Sequence, residues 1–166
     1  MKTSGTLIFL ACFVFGYGAQ AQEPSAGSRA QVIQLQRTTC FGKCPSYIIT
    51  VFENGEFIWE GRKYVKRRGL YTGHGESSAF KRALALLEKA KIKDFKDYYV
   101  YGKSDGCKED WTDNPSIRIL VQTKKYTKEI RHNTGCRGFD REKDLLSLED
   151  ELDKIFVTER WVGENR

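Results

Sequence analysis

Two stretches of the chain alternate apolar and polar residues, and two others repeat apolar residues every three to four positions. In the first, Tyr47, Ile49 and Val51 share one side, and Phe57, Trp59 and Gly61 share one side after Glu53-Asn54-Gly55. A two-residue Asn54-Gly55 loop would oppose Glu53 to Glu56 and send the two apolar sets to opposite faces. A three-residue loop with Gly55 left-handed instead pairs Val51 with Phe57 and Ile49 with Trp59, giving one apolar face. The second alternation, "SIRILVQTKKYTKEIRH", predicts a hairpin turning at Lys124-Lys125, with Ile119 facing Ile130 and Ile117 facing His132. Val32, Ile33 and Leu35 predict a strand ahead of both hairpins.

Helical spacing links Phe80, Ala83, Leu84, Leu87 and Ala90 between Ser77 and Ala90. It also links Leu145, Leu148, Leu152 and Ile155 between Asp140 and Phe156, with Asp140 placed to cap. The order is strand, hairpin, helix, hairpin, helix. That order predicts an α+β fold, a mostly antiparallel sheet of about five strands with two helices packed on one face.

The N-terminus changes the chemistry open to the rest. Met1-Lys2, the apolar run Leu7 to Phe15 and Ala19-Gln20-Ala21 have the form of a secretory signal cleaved after Ala21. The run is short of the roughly 20 residues a span requires. Leu10-Ala11-Cys12 partly resembles a lipoprotein processing site, but Phe13-Val14-Phe15 continue the apolar run past Cys12. Residues 1–21 are thus expected to be a signal peptide, 22–30 a loose polar leader and 31–163 one domain in an extracytoplasmic, periplasmic or secreted, setting. The formal charge of +6 falls to +5 once Lys2 is removed, and such a basic exported domain suits anionic surfaces rather than nucleic acid.

Cys40, Cys44, Cys107 and Cys136 remain after such cleavage. An even number of cysteines in an exported chain argues for disulfides. Cys107 and Cys136 flank the open end of the second hairpin and can meet there, which leaves Cys40 for Cys44. As a redox dithiol the latter pair is one residue wider than C-x-x-C and precedes a strand rather than a helix N-terminus. Zinc would need a second close ligand pair, and the only histidines are His74 and His132.

Other chemistry is sparse. His74 is expected in a glycine-flanked turn and His132 on a half-buried strand end. Glu109, Asp110 and Asp113 lack the alternating ligand spacing of a calcium loop. No hydrolase motif or phosphate-cradling loop occurs, so no catalytic residue, metal or cofactor is assigned. What stands out is a surface. Arg62, Lys63, Lys66, Arg67 and Arg68 surround Tyr64, and "DYYVYGK" adds Tyr98, Tyr99 and Tyr101. If the sheet brings these together, they form a basic rim with aromatic platforms, suited to an anionic glycan, a lipid headgroup or an acidic protein.

The segments "RTTCFGKCPSY", "NGEFIWEG", "DNPSIRI" and "TERWVG" resemble a family of exported bacterial proteins known only as a domain of unknown function. The most specific part is the Cys-Phe-Gly-x-Cys-Pro-x-Tyr opening. The resemblance implies a small domain after a signal peptide and supplies no activity. The expected role is a non-enzymatic, disulfide-stapled binding module. The alternatives are thiol-disulfide redox work at Cys40/Cys44 and a structural component of the envelope.

Overall fold

The structure, a computed structural model, describes residues 30–100 and 106–163. The expected signal peptide, Cys12 and most of the leader lie outside the described residues, as does Tyr101.

Among the described residues nine strands and three α-helices follow in chain order: β1 (Val32–Arg37), β2 (Ser46–Phe52), β3 (Glu56–Lys63), β4 (Gly69–His74), α1 (Ala79–Lys89), β5 (Tyr98–Tyr99), β6 (Glu109–Asp110), β7 (Ser116–Gln122), β8 (Thr127–Asn133), β9 (Cys136–Arg137), α2 (Glu142–Ile155) and α3 (Glu159–Val162). The main sheet has seven strands in the order β4-β3-β2-β1-β7-β8-β5, all neighbours antiparallel except β5 and β8. β6 and β9 form a separate two-stranded ribbon. The fold is α+β, with more strands than the expected five because β4 and β5 join the edges.

Both hairpin registers follow from alternation and turn chemistry. Val51 pairs with Phe57 and Ile49 with Trp59, and Gly55 takes φ +88°, a conformation that costs glycine little. Ile119 faces Ile130 and Ile117 faces His132.

Because every register is in phase, the helix-facing side of the sheet falls into transverse rows. One row runs Tyr71, Trp59, Ile49, Leu35, Ile119, Ile130. The next runs Gly61, Tyr47, Arg37, Ile117, His132, Tyr99. The first row is mainly apolar, and its inner members Trp59, Ile49, Leu35, Ile119 and Ile130 are buried. They pack with Phe80, Ala83 and Leu87 of α1 and Leu145, Leu148 and Leu152 of α2 in one core. Burial of such side chains contributes roughly 1.5–3 kcal/mol each.

The second row carries polar groups into the interior, and α2 answers them. Asp153 Oδ1 accepts hydrogen bonds from Tyr47 Oη and, at 2.6 Å, from Thr158 Oγ1. Its Oδ2 accepts from Arg37 Nε at 2.8 Å, with an Arg37 terminal nitrogen 2.7 Å away. One turn earlier, Glu149 Oε1 lies 2.8 Å from His132 Nδ1. His132 is fully buried rather than half-buried, because α2 closes over its end of the hairpin. His132 Nε2 and Glu149 Oε2 are buried without a partner among the described residues. Burial pushes the Glu149 carboxyl above its ordinary pKa, against the opposing pull of His132. Burial, reinforced by the Asp153 charge, raises the Tyr47 phenol.

The C-terminus of α2 is a Schellman turn: Thr158 N–H donates to Asp153 O at 3.1 Å and Val157 N–H to Lys154 O at 3.1 Å. Val157 sits at φ +53°, the position usually given to glycine. This turn swings α3 back across the sheet, where Trp161 stacks on Trp59 with centroids 5.4 Å apart and meets Phe57 and Tyr71. At the other end of α2, Arg141 rather than Asp140 occupies the N-cap position, in a left-handed conformation and with no side-chain cap bond.

Cys40–Cys44 and Cys107–Cys136 are bonded, with Cα atoms 5.5 and 5.2 Å apart. Two disulfides suit an oxidising environment. Among the described residues no helix is long and apolar enough to cross a membrane.

Candidate functional site

The connection between β3 and β4 carries most of the cations singled out from sequence. It lies over β3 because Gly61 has no Cβ. A Cβ there would fall 1.9 Å from Arg67 O, the atom that accepts a hydrogen bond from Trp59 Nε1 at 2.8 Å. The connection is also tied to the C-terminal helix. Lys66 N–H donates to Val162 O at 2.9 Å and Arg67 N–H to Trp161 O at 3.0 Å. The backbone is therefore held while the side chains of Arg62, Lys63, Lys66, Arg67 and Arg68 are exposed. Of the five, Arg62 alone has an acidic partner among the described residues, Glu60 at 2.8 Å. Arg68 Nε donates to Arg62 O.

Exposed apolar groups accompany these cations. Tyr64, Leu70 and Tyr71 belong to the same edge and are among the exposed large hydrophobics, Leu70 at 70% exposure. The expected aromatic partners are elsewhere. Tyr98 and Tyr99 lie in β5, at the opposite edge of the seven-stranded sheet, and Tyr99 is buried. The composite rim of basic and Tyr98/Tyr99 side chains does not form, because β2, β1, β7 and β8 stand between its halves. The apolar complement of the cations is Tyr64, Tyr71 and Leu70.

Beside this edge, on the helix-facing side, is a cleft of about 500 Å³. Val51 and Phe57 of the sheet, Ile155 and Phe156 at the end of α2, and Trp161 of α3 line it. Arg67, Arg160, His74 and Glu76 also border it. Neither Arg67 nor Arg160 has an acidic partner among the described residues. Glu76 is engaged by Arg82 at 2.7 Å and by Ser78 Oγ at 2.7 Å. His74 ends a strand rather than occupying a free turn, and its Nε2 lies 3.7 Å from Glu56.

The remaining candidates are placed apart. The Cys40–Cys44 loop leads directly into β2, so no helix N-terminus stands at either sulfur. Its tip presents Phe41 at 92% exposure. Phe41 N–H donates to Asp113 O at 3.1 Å. Glu109 and Asp110 form the exposed strand β6, which pairs with β9, and Asp113 is exposed beyond it. Among the described residues no three His, Cys, Asp or Glu side chains group as metal ligands.

Arg160, Trp161 and Val157 were not identifiable as site residues from sequence, since α3 is a single turn and shows no periodicity. "TERWVG" entered only as one of the segments that carry the family resemblance.

The architecture defines a disulfide-stapled α+β domain: one antiparallel-dominated sheet, helices on a single face, and a cleft below a basic edge. A family model for a domain of unknown function, DUF6438, matches residues 31–156, and the chain belongs to that family. Comparison with curated proteins gives no match. The matched span stops before Thr158, so α3, with Arg160 and Trp161, lies beyond it.

Proposed function

We propose that this protein is a non-enzymatic, extracytoplasmic binding module that attaches peripherally to an anionic lipid surface through its β3–β4 edge. The observation that carries this reading is the company the cations keep. Arg62, Lys63, Lys66, Arg67 and Arg68 project from a backbone pinned to α3, and exposed Tyr64, Leu70 and Tyr71 share their edge. Cations address phosphate headgroups, while tyrosine and leucine favour the interfacial depth just below them. A purely electrostatic partner, such as an acidic glycan or protein, gives no use to an exposed leucine.

The disulfides and the signal-like N-terminus support the compartment. A peripheral module also needs no catalytic constellation.

The test is charge reversal. Each basic side chain near an anionic membrane contributes about 1 kcal/mol, so Lys66→Glu/Arg67→Glu/Arg68→Glu should weaken binding to phosphatidylglycerol vesicles by more than about 100-fold. Circular dichroism and thermal midpoint should remain those of the wild type, since these side chains point to water. Undiminished vesicle binding by the folded triple variant would refute the proposal, as would retention on an acidic polysaccharide with none on vesicles.

A further inference from the structure

We infer that the cleft under the basic edge receives a single-chain, lipid-derived amphiphile with an anionic head, a phosphate or carboxylate on one alkyl chain. The inference deepens the proposed function by naming a ligand, and shares with it a preference for anionic lipid. It stands on a different part of the molecule.

Three features select the ligand class. At about 500 Å³ the cleft is within the range of small-molecule sites, and its lining combines apolar side chains, Val51, Phe57, Ile155, Phe156 and Trp161, with a nearly equal share of polar surface. Phe57, Ile155 and Trp161 are only partly buried there, so an alkyl chain laid along them would remove apolar surface from water. The charge at the border is the second feature. Arg67 and Arg160 approach from separate elements, the β3–β4 connection and α3, and neither is neutralised by a described carboxylate. An oxyanion between two guanidinium groups gains charge-assisted hydrogen bonds of the strong kind. Third, the acid at the border is already occupied, because Glu76 is held by Arg82 and Ser78. A cationic head would find no free carboxylate among the lining residues.

The turn that completes the cleft is itself unusual. Val157, a β-branched residue at φ +53°, lines it. Backbone strain of this kind is concentrated at ligand sites.

The experiment titrates the mature, disulfide-bonded protein with dodecyl phosphate below its micellar concentration, followed by calorimetry and tryptophan fluorescence. The expected result is saturable one-to-one binding, with dodecyltrimethylammonium and inorganic phosphate silent over the same range. Arg160→Gln should weaken binding about tenfold or more, the effect of losing a charge-assisted contact. Gly75→Leu should abolish it by filling the cleft. Gly75 borders the cleft, its φ is outside the left-handed region, and a Cβ there meets Phe57 at an ordinary 3.5 Å.

Lys66→Glu/Arg68→Glu separates the two proposals. It should release the protein from vesicles while leaving dodecyl phosphate affinity within about twofold, because neither residue lines the cleft. Absence of saturable binding would overturn the inference. So would equal binding of the ammonium amphiphile, or affinity unchanged in both folded Arg160→Gln and Gly75→Leu.

Discussion

Removing the carboxylate of Asp153 should be among the most destabilising single changes available in this domain. Asp153 is 3% exposed and accepts hydrogen bonds from Tyr47, Thr158 and Arg37. Asp153→Ala takes from the Arg37 guanidinium its buried partner, leaving the exposed Asp150 at 3.4 Å, and removes the carboxylate to which Tyr47 and Thr158 donate. Breaking a buried pair from one side costs about 3–5 kcal/mol. Arg37→Met should cost at least as much, because the carboxylate it abandons is the more deeply buried partner. The double variant Arg37→Met/Asp153→Ala removes both charges and leaves the methionine's apolar atoms in place of the guanidinium. Its cost should be about 2 kcal/mol, well below the sum of the singles, giving a coupling energy of several kcal/mol. Urea denaturation of the four proteins at pH 7, with m-values compared to confirm a common unfolded state, measures this directly. Additive losses, or an Asp153→Ala cost below about 1 kcal/mol, would show that the row of polar groups is not an integrated network.

Three further outcomes follow from the same structure. By loop closure, the Cys107–Cys136 bridge, spanning 29 residues, should contribute about 3.6 kcal/mol and Cys40–Cys44, spanning four, about 2. Cys107→Ala should therefore lower the urea midpoint more than Cys44→Ala, and the reverse order would contradict the entropic account. Glu129 is held down to about 2, first by its hydrogen bond from Arg118 and then by Arg131. Its contribution is thus present above the ordinary carboxylate pKa and lost as pH falls toward 2. With a side chain 30% exposed, screening leaves about 1 kcal/mol, so Glu129→Gln should cost that much at pH 7 and nothing near pH 2 in thermal melts. Finally, Val157→Gly relieves a left-handed β-branched residue worth about 1–3 kcal/mol of strain, which should offset the lost side-chain contact and leave the melting temperature unchanged or raised. A drop of the size usual for a half-buried valine, about 1 kcal/mol or more, would show that the site is not strained.

The central hairpins were legible because period-two alternation and the Asn54-Gly55 turn both constrain register. The helices were legible because their leucines repeat at helical spacing. What escaped has physical reasons. β4, "GLYTGH", is an exposed edge strand with two glycines, and pairs because β3 offers it a free edge rather than through any apolar alternation of its own. β5 is two residues long, and α3 is one turn. The assumption that Tyr98 and Tyr99 join the basic cluster failed on strand order, which alternation does not encode. The polar row left a faint signal. Glu149 and Asp153 continue the Leu145 stripe at intervals of four, Arg37 is in phase with Ile33 and Leu35, and His132 is in phase with Ile130. Charged residues at core phase in three separate elements mark a buried network, but only the fold shows that they meet.

The claim that the β3–β4 edge attaches to anionic lipid is tested most directly by co-sedimenting wild-type protein with vesicles of matched size, phosphatidylglycerol-rich or purely phosphatidylcholine, while salt is raised. Exposed charges are screened over about 8 Å at physiological ionic strength and about 3 Å at 1 M. The account predicts sedimentation with the anionic vesicles alone, declining steadily as salt rises, and release of the protein by 1 M salt. Equal sedimentation with both vesicle types, or anionic-vesicle binding indifferent to salt, would contradict it.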